Sequence, residues 1–220
     1  MTAAVAAFAL ANAAQSNPIG PNYFAGAGDH LRYAEHCEDA TLDADARIGY
    51  CIGMVKDGRG GSDQAYAELA TLYAAKHDYE RALEYAARPF DNLSSASTVG
   101  HSSDYTEIPL LEERSEIYAE AGKYAEAMAD VAVIFEISPN KAGSYNHRCW
   151  IRAIAGQELD LALDDCNKSL ELHPNDAATL DSRGLANYKA GHLQDALADY
   201  GAAVSKDSNF ADALYMRGIV

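Results

Sequence analysis

An alanine recurs at residues 82, 127, 162 and 196, at spacings of 45, 35 and 34, and its surroundings recur with it. A period near 34 residues belongs to stacked helix pairs, because one such unit cannot bury its apolar face alone. We write each period as a 34-residue frame with the alanine at position 20. The first frame starts at Asp63 and carries Tyr66, Leu69, Ala70, Tyr73, Asp78-Tyr79 and Ala82. The second starts at Ile108, with Leu111, Ser115, Tyr118, Gly122-Lys123-Tyr124, Ala127 and Pro139. The third starts at Gly143, with Asn146, Trp150, Gly156-Gln157, Leu159, Ala162, Ser169 and Pro174. The fourth starts at Ala177, with Leu180, Arg183-Gly184, Gly191-His192-Leu193, Ala196, Tyr200 and Ala203. The excess in the first spacing falls between Pro89 and Glu107, where runs of Ser, Asn and Gly read as a loop.

The pattern has a physical reading. Position 8 on the first helix of a frame faces position 20 on the second, and small side chains there let two helices approach closely. Those contacts would be Ala70/Ala82, Ser115/Ala127, Trp150/Ala162 and Gly184/Ala196, with Trp150 fitting against the small Ala162 beside Gly156. Gly122 and Gly191 stand where a first helix ends in a left-handed residue. Pro139 and Pro174 end second helices, and Asn140 and Asn175-Asp176 follow as caps for the next.

These residues resemble the tetratricopeptide repeat family: small residues at positions 8, 20 and 27, an aromatic or Leu at 17, and Pro at 32. The resemblance covers Asp63 to Val220. It implies an all-α fold, a right-handed α-solenoid of antiparallel helix pairs, and a role in holding other proteins. The expected organisation is a signal peptide over 1–14, a linker and helical cap over 15–62, and repeats over 63–88, 108–141, 143–176 and 177–210. A loop insertion occupies 89–107, and 211–220 begins a further repeat or forms a terminal cap.

Net charge of −16 argues against nucleic acid, whose phosphates need a basic patch, and against an anionic membrane surface. Ala3 to Ala14 is too short to span a bilayer. Ala11-Asn12-Ala13 fits a small-x-small cleavage site, although no Lys or Arg precedes Arg32; an Ala-rich helix is the other reading. Asp29–Glu38 and Asp43–Val55 read as two helices, ended by Gly58 to Gly61. Cys37 and Cys51 flank the turn between those helices, where a disulfide would staple a segment with little core. Cys149 and Cys166 both point into the third helix pair, either as buried thiols or as a second disulfide.

No cofactor is implied. The glycines of 58–61 lack the Lys-Ser/Thr of a phosphate loop, and no Cys-x-x-Cys suggests zinc. Asp164-Asp165 and Glu112-Glu113 read as solvated pairs. By resemblance, first helices line a concave face. That puts Glu112, Glu116 and Glu120, then His147 and Ile151, then Asp181, Leu185, Tyr188 and Lys189 in a groove, acidic at one end and apolar at the other. A peptide or helix with a basic end and a hydrophobic end would suit it. Of the carboxylate-gripping set that some relatives carry, only Arg148 matches.

Overall fold

The computed structural model describes residue 33 and residues 35–57, 62–91, 104–206 and 211–220. No strand occurs among the described residues. The signal-like segment, the glycines of 58–61 and most of the expected loop insertion lie outside them. Two compact units divide the chain, Met1–Ser97 and Thr98–Val220.

In the first unit, α1 (Ala44–Asp57) packs on α2 (Ser62–Ala75), which pairs with α3 (Tyr79–Asp91). Asp43 caps α1, its carboxylate accepting from the Ala46 N–H at 2.8 Å. Ahead of α1, Cys37 is bonded to Cys51 with a Cα separation of 4.8 Å. The Tyr33 ring lies where a side chain at Gly53 would stand. Arg47 pairs with Glu68 and ties this cap to α2. Helix α3 runs on through Pro89 to Asp91, so the expected loop begins later than its composition suggests. Pro89 sits near the helix end, where its missing N–H costs little.

The second unit comprises α4 (Asp104–Glu120), α5 (Tyr124–Ile137), α6 (Ala142–Ala155), α7 (Leu159–Leu172), α8 (Ala177–Ala190), α9 (Leu193–Lys206) and α10 (Ala211–Ile219). The pairs are α4/α5, α6/α7 and α8/α9. First helices touch in sequence, α4 with α6 and α6 with α8, while α5, α7 and α9 each also touch the next first helix. This is the α-solenoid arrangement.

Each pair turns in the same way. The N–H of Asp78, Lys123, Gln157 and His192 donates to the carbonyl of Tyr73, Tyr118, Arg152 and Asn187, at 2.8 to 3.0 Å. That bond closes a helix around one left-handed residue. The residue is Gly122, Gly156 or Gly191 in the second unit, and His77 (φ 58°) in the first. Asp176 caps α8 by accepting from the Thr179 N–H at 2.9 Å. Asn140 and Asn175 instead take left-handed backbone in their turns, and Lys141, which caps nothing with its side chain, precedes α6.

Turn glycines recur at spacings of 34 and 35, whereas Ala127, Ala162 and Ala196 recur at 35 and 34. The extra residue of the third repeat therefore lies in its turn, where Glu158 also adopts a left-handed φ of 48°. First-helix positions counted back from Ala162 are consequently one residue late. Cys149, not Trp150, is the equivalent of Ser115 and Gly184. Trp150 packs on the Ala127 and Val131 cluster of the preceding pair and not on Ala162. This corrects the sequence expectation.

At that equivalent position each pair is joined differently. The Tyr200 ring covers Gly184, leaving 2.8 Å to an added Cβ. Cys149 is bonded to Cys166 with a Cα separation of 5.5 Å. Ser115 is fully buried, and Val131 stands in the place of Cys166 and Tyr200. Substituting Gly184→Ala should therefore destabilise the protein by about 1–3 kcal/mol in urea unfolding, because the ring has to shift in a filled core. Gly201→Ala, a helical site with nothing within 4 Å of an added Cβ, should stabilise by roughly 0.5–1 kcal/mol. Equal effects of the two changes would contradict this packing.

Candidate functional site

Three arginines point from first helices to second helices. Arg114 donates through Nε and Nη2 to Asp130 at 2.8 and 2.6 Å. Arg148 does the same to Asp165 at 2.8 and 2.6 Å, and Arg183 to Asp199 at 3.0 and 2.6 Å. The planar fork suits a carboxylate held in two contacts. Arg148 also lies 4.2 Å over the Phe135 ring, and Arg152 joins it on Asp165. Arg148 is therefore engaged by Asp165 of its own repeat and by Phe135 of the preceding one. Asp165 is 5 % exposed, which corrects the expectation of a solvated pair; its neighbour Asp164 is exposed.

The face made by α4, α6 and α8 is ordered in rows at spacings of 34 and 35. Glu112, Asn146 and Asp181 form one row, Glu116, Trp150 and Leu185 the next, and Glu120, Ile154 and Lys189 the third. Contacts between neighbouring helices fit this register. The Lys189 Nζ donates to the Ile154 carbonyl at 2.6 Å. Glu112, Glu116, Trp150, Ile154, Leu185 and Tyr188 are half-buried, Glu120 and Lys189 are exposed, and Asp181 is buried. His147 and Ile151 belong to the register behind, with Ser182 and Ala186, and are 6 % and 0 % exposed. As placed, neither is open to a partner. Asn146 and Trp150 take their places on this face, and counting from the turn glycines instead of the alanines would have found them.

Behind α4 lies a short polar chain. Ser115 Oγ donates to the Glu112 carbonyl at 2.8 Å and sits 2.7 Å from His147 Nε2. With its one proton given to the carbonyl, the hydroxyl accepts from an Nε2–H. His147 Nδ1 is 3.9 Å from Glu116 Oε1. The set has the residue types of a nucleophile, base and orienting acid, but Ser115 is fully buried and the proton of the imidazole points the wrong way. Burial pushes the imidazole down to about 4, so it is neutral at ordinary pH. Glu116 is pushed up to about 7, first by burial and then by Glu120, Glu112 and Glu113. Its side chain still exposes 45 % of its surface, so water screens part of that effect.

Among the described residues no group of three or more His, Cys, Asp or Glu could hold a metal ion. None of the described helices is long and apolar enough to cross a membrane. A cavity of about 340 Å³ lies among α7, α8 and α9, lined by Arg183, Asn187, Asp195 and Asp199. Arg183 there is already engaged by Asp199 and by Asn167 at 2.8 Å.

No known family profile matches the chain. It is similar to the human tetratricopeptide repeat protein 13, 25 % identical over 175 residues, which are 74 % of this chain and 20 % of that protein. The chain thus spans about a fifth of that relative's length. A thermophilic TPR protein of Thermus thermophilus superposes with a TM-score of 0.64 at 17 % identity, over 87 % of this chain and 96 % of that one. A tetratricopeptide repeat protein of Parabacteroides merdae gives 0.56 at 15 %, over 86 % and 71 %. The fold is the tetratricopeptide-repeat solenoid. On its first-helix face the middle row runs from Glu116 on α4 to Trp150 and Leu185, while Asn146 and Asp181 follow Glu112, and Ile154 and Lys189 follow Glu120.

The two titrating groups oppose each other. A carboxyl raised in the folded state holds its proton there more tightly than in the unfolded chain. Glu116 therefore costs stability as pH rises from about 4.5 through 7. His147, lowered from 6.5 to about 4, costs stability as pH falls through that interval. Glu116→Gln should remove the carboxyl's share and leave that of the histidine in place. We expect the variant to gain about 1 kcal/mol over the parent at pH 8, discounted for the half-exposed side chain. The gain should shrink away toward pH 4.5, read by urea unfolding across pH. A pH-independent difference would show that Glu116 does not titrate in this range.

Proposed function

We propose that this chain is a non-catalytic, protein-binding scaffold of the tetratricopeptide repeat family. It holds an extended or helical segment on the α4/α6/α8 face. The observation that carries this reading is the middle row, which runs from Glu116 to Trp150 to Leu185, with Glu112 and Glu120 flanking it on α4 and Ile154 on α6. A segment with Lys or Arg at one end and apolar residues at the other meets opposite charge on α4 and buries apolar area on α6 and α8. Trp150 has the size and rigidity of an anchoring contact. The charge of −16 supports a basic partner and disfavours nucleic acid.

We further propose that the chain works in an oxidising compartment, exported by its apolar N-terminal segment. The two disulfides support this, since such bonds persist outside the reducing cytosol. A second reading is that these repeats serve a larger protein whose other parts carry an activity. It is favoured by the match to a relative five times the length of the aligned region.

The test is a fluorescence-anisotropy titration of peptides that place two or three Lys or Arg five to eight residues from a Leu/Phe pair. Trp150→Ala should weaken the best peptide about tenfold or more. Glu116→Lys with Glu120→Lys should weaken it comparably and flatten its dependence on salt. A peptide with the basic end neutralised should ignore the charge change. Affinity untouched by all three would refute binding at this face.

A further inference from the structure

The core of the third repeat differs from those beside it. Its buried cluster is Cys149, Ala153, Ala162, Cys166 and Ala186, with Leu163 and Leu185 packed at its edge. No fully buried member is larger than cysteine. The preceding cluster holds Val131, takes Ile151 from α6 and is flanked by several aromatic rings, and the following one holds Leu180 and Tyr200. Hydrophobic transfer and dispersion both scale with the apolar area and atom pairs brought together. The apolar cluster between α6 and α7 is built from the smallest side chains of the three, and the other ties of this pair are polar: Arg148 and Arg152 on Asp165, and Ser169 donating to the Ala142 carbonyl. At the position where the Tyr200 ring covers Gly184, this pair has its sulfur–sulfur bond instead.

We propose that the third repeat is a redox-sensitive joint: the Cys149–Cys166 bond holds α6 against α7, and its reduction releases that pair while α8/α9 stays packed. A dithiol reductant supplies two electrons and two protons. The sulfur–sulfur bond breaks, each cysteine becomes a thiol, and the dithiol closes to its own disulfide. Two thiols cannot stay at bonding distance. They have to separate within a cluster of close-packed alanines, where no slack is available. The unfolded chain also regains the freedom of the loop between residues 149 and 166, which the bond had closed over a separation of 17. Both effects favour opening. Because α6 carries Trp150 and Ile154, binding at the first-helix face would fall with it. That consequence rests on the proposed groove, whereas the order of α6 and α7 does not.

The experiment is peptide-resolved hydrogen exchange on the full chain, oxidised and reduced with dithiothreitol, with thiol content checked by alkylation and mass. Reduction should speed amide exchange in α6 and α7 by about a hundredfold, the loop-closure value for a crosslink of this span, and leave α8 and α9 within a few-fold. Equal protection of α6 and α7 in both forms would overturn the proposal, as would uniform loss across the whole second unit. Cys149→Gly with Cys166→Tyr transplants the packing of the fourth repeat and should keep α6 and α7 protected with or without reductant. If that variant loses protection on reduction as the parent does, the effect comes from Cys37–Cys51 and the proposal fails. Should the variant not fold, Cys37→Ala with Cys51→Ala leaves Cys149–Cys166 as the bond to reduce, and the same comparison decides.

Discussion

The structure depends on one recurring contact, the crossing point where the first helix of a repeat meets the middle of the second. A helix pair can close only if the residues there leave room for each other, and an α-solenoid transmits every misfit to the next pair. This chain solves the problem in several ways. Gly184 gives up its side chain so that Tyr200 can lie across it. Cys149 and Cys166 fill the same space with a covalent bond. Ser115 fills it with a hydroxyl that also holds His147. In the first unit Ala70 and Ala86, both buried, occupy the equivalent sites. The closeness of the backbones is common to all; what enforces it is not.

The second device is polar. Arg114, Arg148 and Arg183 each reach a nearly buried aspartate on the partner helix, at sequence separations of 16, 17 and 16. Such a pair is weak evidence for stability, since desolvating two ions offsets much of their attraction. Its value here is geometric. A forked donor and a carboxylate accept few relative orientations, so each pair fixes how one helix is rotated against the next. The longer separation in the third repeat absorbs the residue inserted at Glu158, which lets the same contact form despite the longer turn.

Much of this is legible in the sequence, and the reasons for the failures are specific. The frame, the turn glycines and the helix-ending prolines can be read because each is a local requirement of backbone geometry. The face of α6 escapes a frame anchored on alanines of second helices, because one residue inserted in a turn rotates every first-helix assignment by about 100°. That shift exchanges Trp150 for Ile151 and Asn146 for His147. Asp165 escapes for a different reason. Adjacent acidic residues on a helix look solvated until the partner helix is placed, and the arginine that buries this one lies 17 residues away in sequence.

The arginine contacts also shape the face that carries the proposed function. Drawing Arg114, Arg148 and Arg183 toward the second helices takes three cations away from the rows of first-helix side chains. His147, which could have offered another beside Glu116, is buried and held neutral. Burial first, and then the neighbouring carboxylates Glu120, Glu112 and Glu113, push Glu116 up to about 7. A row of like charges on one helix face costs folding stability. A sequence concerned only with the fold would replace some of them, as α6 and α8 do with Trp150 and Leu185 at the same position. The cost is recovered when an opposite charge arrives, because a cation that meets Glu116 relieves repulsion as well as forming its own contact. This clustering of carboxylates on one helix face is the physical argument for proposing a basic partner at α4 rather than at α6 or α8.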